Sequence, residues 1–68
     1  AYSEYEKRIG VCNNDYSISF WEERDNFTFE IVIFYKYTEL HDQIFFLEQE
    51  KKWMTIDLNH TIHIWDTL

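Results

Sequence analysis

The sequence predicts an α+β domain: a short N-terminal helix followed by a four- to five-stranded antiparallel β-meander, open or curled into a small barrel. Three observations carry that expectation. Phe27, Phe29, Ile31, Ile33, Tyr35 and Tyr37 occupy every second position of residues 27–37, a period that a helix would scatter around its circumference. Ser3 and Glu6 stand at capping-box spacing, and Gly10, the only glycine, follows where a left-handed C-cap would end a helix. The later apolar runs are joined by a few polar residues each, too few for crossovers, which selects antiparallel pairing.

In chain order, residues 1–10 read as the helix, with Tyr2, Tyr5 and Ile9 on one face. Asn13, Asn14 and Asp15 tolerate the backbone angles of a turn. Residues 16–23 form the first strand, setting Tyr16, Ile18 and Phe20 against Ser17 and Ser19. Polar residues 22–26 lead into the long strand at 27–37, and residues 39–43 form the next polar loop. Strands follow at 44–49 and 53–58 around Glu50, Lys51 and Lys52, and Asn59 and His60 turn the chain into a last strand at 61–65.

Several of these strands are apolar on both faces. Val32 and Phe34 oppose the odd-numbered aromatics, and Phe45 and Leu47 oppose Ile44 and Phe46. A sheet with one wet face alternates with polar residues instead. A second layer is therefore required: the N-terminal helix, barrel closure, or a second subunit.

Sixty-eight residues make one domain, 1–68, and a chain this short buries only about 60% of its unfolded surface. Cys12 is the only cysteine, which excludes an intrachain disulfide and a four-thiolate zinc site. The core must come from aromatic side chains, 21% of the sequence, each able to remove roughly 150–250 Å² from water. Thirteen acidic residues against six Lys and Arg give a net charge of −7. That balance argues against direct nucleic-acid binding, which needs cations on phosphates, and suits a basic protein partner. The longest apolar run, residues 31–35, falls far short of the ~20 residues that span a bilayer.

An unpaired cysteine points to a reducing, cytoplasmic setting. Two glycosylation acceptor patterns, at Asn26 and Asn59, point instead to secretion; the sequence carries no signal-peptide pattern, although a cleaved one leaves no trace.

Chemistry is sparsely signalled. His41, His60, His63, Asp57 and Asp66 are metal-ligand types, and His60, His63 and Asp57 would centre a metal-dependent or acid–base enzyme. Strand alternation sends His60 and His63 to opposite faces, so no metal site is expected. Paired carboxylates at Glu22–Glu23 and at Glu48 with Glu50 read as solvated loop residues. The chain lacks a Gly-rich phosphate loop, an H-E-x-x-H motif and a nucleophile elbow, so neither a cofactor nor an enzymatic activity is expected. Nothing near Cys12 in sequence would activate its thiol.

The aromatics are more informative, because Trp and Tyr dominate binding hot spots. The expected partner-binding residues are Trp21, Glu22, Glu23, Tyr35, Tyr37, Glu48 and Trp53. The expected function is a small acidic protein-binding module, an inhibitor or accessory protein of phage or immunity type that occludes a basic site on a partner enzyme. The viral setting rests on composition alone: Asn, Ile, Tyr, Phe and Lys usage without proline suits an AT-rich genome. One alternative is a homo-oligomeric assembly subunit whose copies bury both sheet faces. Another is a nucleic-acid mimic built from Glu22, Glu23, Asp25, Glu30, Glu39, Asp42, Glu48 and Glu50, its field interrupted by Arg24, Lys36, Lys51 and Lys52.

Overall fold

A computed structural model describes residues 1–25 and 28–68. The acceptor Asn26 and the expected strand start at Phe27 lie outside these residues. The fold is all-β, which corrects the α+β expectation. Among the described residues, seven strands form two antiparallel sheets and no closed barrel. Strands β1 (Tyr2–Ser3), β2 (Arg8–Cys12), β3 (Ser17–Glu23) and β4 (Phe29–Lys36) make one sheet in sequential order. Strands β5 (His41–Leu47), β6 (Lys52–Asp57) and β7 (Ile62–Trp65) make the other, again in order. The meander is therefore real, but the chain leaves one sheet for the other between β4 and β5.

The expected helix is replaced by the β1–β2 hairpin, and its local signals explain why. The Glu6 amide donates to Ser3 Oγ at 3.0 Å, the bond that a helix N-cap would make. The Lys7 amide donates to the Ser3 carbonyl at 2.8 Å, closing one helical turn. Lys7 then takes a φ of 58°, the left-handed conformation that stops a helix, and the chain turns back. The same loop recurs between β5 and β6, where the Lys51 amide donates to the Leu47 carbonyl at 2.8 Å and Lys51 has a φ of 57°. Both loops read Glu-x-Glu-Lys, Glu4 to Lys7 and Glu48 to Lys51. They also meet: Lys51 Nζ lies 4.5 Å from the centre of the Tyr5 ring, and Tyr5 stacks on Phe46.

Gly10 is not a cap. It sits buried in the middle of β2 without a positive φ, so its missing side chain is needed for space. A Cβ there would stand 2.7 Å from Trp53 Cζ3 and 2.7 Å from Ile44 Cδ1. The opposing sheet lies directly on this glycine.

Trp53, Phe20 and Ile18 are wholly buried between the sheets, with Phe20 and Phe46 both edge-on to the Trp53 ring at 5.1 and 5.2 Å. Each such side chain contributes about 1.5–3 kcal/mol by leaving water. Val32, Ile33, Tyr37, Ile44, Phe46 and Trp65 complete the core. The indole N–H of Trp53 donates to Glu6 Oε1 at 2.8 Å, so the β1–β2 loop is tied to the centre of the second sheet. Thr67 Oγ1 donates to the same oxygen, and Arg8 donates to the Thr67 carbonyl, drawing in the C-terminal residues.

Ala at position 10 should cost about 1–3 kcal/mol, because the buried Trp53 ring has nowhere to go. For a domain of this size each kcal/mol lowers Tm by roughly 4–8 °C, so thermal denaturation of Gly10→Ala checks the fit.

Candidate functional site

Two regions concentrate groups that could act: the outer faces of the sheets, and a polar cluster at one end of the sandwich.

Register defines the outer faces, since directly paired residues share a side. On the four-stranded sheet, Tyr2 pairs Ile9, Ile9 pairs Trp21 and Trp21 pairs Ile31, one apolar row across all four strands. The neighbouring row is Val11, Ser19 and Phe34. Trp21 shares this side with Ser19 by strand alternation, its indole N–H donating to Ser19 Oγ at 2.9 Å, and a bulge at Val32 of β4 brings Ile31 to the same side opposite it. Asn13 Nδ2 donates to Ser17 and Ser19, so the two hydroxyls are sealed beneath Asn13 and Trp21. Tyr2, Phe29, Ile31 and Phe34 remain exposed. Strand β4 is also an edge, with no strand beyond it among the described residues. On the three-stranded sheet, Phe45, Met54 and Ile64 form the corresponding outer row, beside Ile56 and Ile62. The need for cover on second faces, read from the sequence, thus applies to both sheets.

The expected partner-binding residues do not form one surface. Trp21 lies half-buried in the outer row, and exposed Glu23 pairs across from Phe29 on the same side. Glu22 points to the inner side, where Arg24 at 3.2 Å and Arg8 at 3.8 Å neutralise it. Tyr35 and Tyr37 lean together over Trp65 at 5.0 and 5.4 Å, at the opposite end of the inner layer. Glu48 is on the exposed β5–β6 loop near Lys51. Trp53 is 0% exposed and serves the core, which corrects its placement among contact residues. The acidic face expected of a nucleic-acid mimic is broken in the same way, with Arg24 also pairing Glu30 at 3.1 Å.

The polar cluster is built by β5, β6 and β7. His41 opposes Asp57 across the β5–β6 ladder, and Thr55 opposes both Ile44 and His63. The His41 and His63 rings are 4.5 Å apart, with Tyr37 over both. Asp57 Oδ1 accepts from the Asn59 and Thr61 amides and shapes the β6–β7 turn, while Oδ2 lies 3.0 Å from His63 Nε2. A carboxylate only accepts, so that nitrogen carries the hydrogen. Buried His41 contacts Thr55 Oγ1 through Nδ1 at 2.9 Å, and Trp65 donates to the same hydroxyl at 3.0 Å. His41 Nε2 is buried without a partner among the described residues. One donor atom from each of His41, Asp57 and His63 lies within 4.8 Å of the others.

This differs from the grouping of His60, His63 and Asp57 read from the sequence. His60 is exposed at a turn with φ 64° and stays outside the cluster. His41 replaces it, because residues 41–43 extend β5 instead of forming a loop. The signal available was His41 itself, a lone ring beside an apolar strand. Burial pushes the Cys12 thiol up, which leaves it without thiolate character. Among the described residues no helix is long and apolar enough to cross a membrane. No protein-family model, curated protein or solved structure matches the chain.

Burial, and secondarily the His63 ring, hold the His41 pKa below the ordinary imidazole value, against opposing pulls from Asp57 and Glu39. The hydrogen bond from His63, with those of the turn amides, holds the Asp57 carboxyl below its ordinary value. Both shifts make the unfolded chain bind more protons than the folded one. In chelator-treated protein, stability should be full above about pH 6.5, fall as His41 is forced to protonate, and fall again below about pH 4 through Asp57. Urea midpoints across pH 3–8 measure this, and His41→Gln should remove the first step alone.

Proposed function

We propose that the chain is an interaction domain that binds a basic protein along the open β4 edge and the outer face beside it. The observation that carries this reading is the exposure of Phe29, Ile31 and Phe34 on an eight-residue edge strand. Proteins ordinarily guard such edges with proline, charge or a covering element. Here proline is absent, Glu30 between Phe29 and Ile31 turns to the opposite face with Glu22, and Lys36 lies beyond Phe34 at the strand end. A net charge of −7 would speed encounter with a cationic surface, and the apolar row would supply the binding free energy. Blocking a basic site on an enzyme, as an inhibitor or accessory protein, is one use that suits this pairing.

A second reading, self-assembly, has its own observation: the outer row Phe45, Met54 and Ile64 gives the other sheet an apolar face too. Light scattering separates the readings. A partner-binding domain keeps its monomer mass as concentration rises, whereas an assembly subunit does not. Affinity capture at low and high salt then tests the leading reading. Ile31→Ser with Phe34→Ser should weaken retention of a basic partner at least tenfold, while Ile62→Ser leaves it unchanged. Equal retention by both variants would remove β4 from the binding surface.

A further inference from the structure

We infer that His41, Asp57 and His63 form a binding site for a divalent transition metal, with Zn²⁺ the ion that fits best. Two imidazoles and one carboxylate are a borderline donor set suited to zinc, and three protein ligands leave one coordination position open. Two independent features of the cluster point to a cation. The first is convergence: donor atoms from three residues on three adjacent strands lie within 4.8 Å of one another. The second is His41 Nε2, a buried nitrogen with no partner among the described residues, in a ring otherwise held in place.

Hydrogen-bond accounting strengthens the assignment. If Nδ1 of His41 donates to Thr55 Oγ1, Nε2 presents a lone pair, which is what a metal ligand requires. The Thr55 hydroxyl also accepts from Trp65, so the support of His41 is itself anchored. Asp57 is oriented by the Asn59 and Thr61 amides on one oxygen, leaving Oδ2 for the ion. Such outer contacts fix ligand geometry in metal sites generally.

His63 shares a hydrogen with Oδ2 of Asp57. A cation takes the place of that hydrogen: the neutral His63 ring moves its proton to Nδ1 and offers Nε2, or a protonated ring releases one proton to solvent. Tetrahedral zinc, with bonds of ~2.0–2.1 Å, holds its ligands about 3.3–3.5 Å apart. The cluster must therefore close by about an ångström. His63 can supply that movement, since its side chain is 31% exposed on the edge strand β7 and also offers the ion a way in.

The test is a titration of chelator-treated protein with Co²⁺, then Zn²⁺. One Co²⁺ per chain should bind with the intense visible absorption of a tetrahedral site, Zn²⁺ should bleach it, and Zn²⁺ should raise Tm. His63→Gln should lose at least tenfold in affinity while keeping its circular dichroism and a cooperative melt in chelator. His60→Gln should bind as the parent does. His63→Gln is the decisive variant, because its half-exposed position makes it safer for folding than a change at buried His41. A pale octahedral Co²⁺ spectrum without saturation would overturn the site, as would undiminished binding by His63→Gln or equal loss in His60→Gln.

Discussion

The structure depends on one contact, the seating of the Trp53 ring on the bare backbone of Gly10. With a single cysteine and, among the described residues, only Ile18, Phe20 and Trp53 as wholly buried apolar side chains, the partly buried residues around them pack on a centre that Trp53 supplies. The space left by the missing Cβ of Gly10 lets the indole reach Phe20 and Phe46 edge-on, where aromatic pairs are favourable. Its N–H would be costly to bury unpaired, and Glu6 on the β1–β2 loop meets it. The loop that looks like the start of a helix is in fact the clamp on this tryptophan.

That arrangement fixes where function can lie. Because the inner faces of both sheets are consumed by the Trp53 core, their apolar outer faces have nothing left in the described chain to cover them. Because the core is centred on β3 and β6, the far end of the inner layer is closed by smaller and more polar contacts. There Tyr37, Trp65 and the His41–His63 pair meet around Thr55. The surface rows and the histidine cluster are thus consequences of the same packing, one on its outside and one at its margin.

Much of the sheet was legible in the sequence. Phe29, Ile31, Ile33 and Tyr35 all fall within β4, but a bulge at Val32 breaks their alternation and sends Phe29 and Ile31 to the outer face with Phe34, leaving Ile33 and Tyr35 inside. Turns were read correctly near Asn14 and Asn59. The helix was misread because capping-box chemistry describes one turn of backbone and cannot say whether a second turn follows. Lys7, in the left-handed conformation, decided that question, and nothing in a lysine advertises it. The recurrence of Glu-x-Glu-Lys was a usable signal, since its second copy lies between two clear strands. Gly10 invited a cap because glycine marks both helix ends and close approaches, and only tertiary contact separates the two. The histidine grouping failed at one residue: His41 lies fourteen positions from Thr55, its hydrogen-bond partner, and such a contact depends on strand register.

The most direct measurement is hydrogen exchange at the three indole N–H groups, followed by NMR. With Trp53 buried against Gly10 and bonded to Glu6, its indole hydrogen should exchange slowest, near the rate set by global unfolding. The half-buried indoles of Trp21 and Trp65 should exchange sooner. Exchange at Trp53 as fast as at Trp21 would contradict the clamp, and with it the packing that leaves the outer rows exposed and the histidines at the margin.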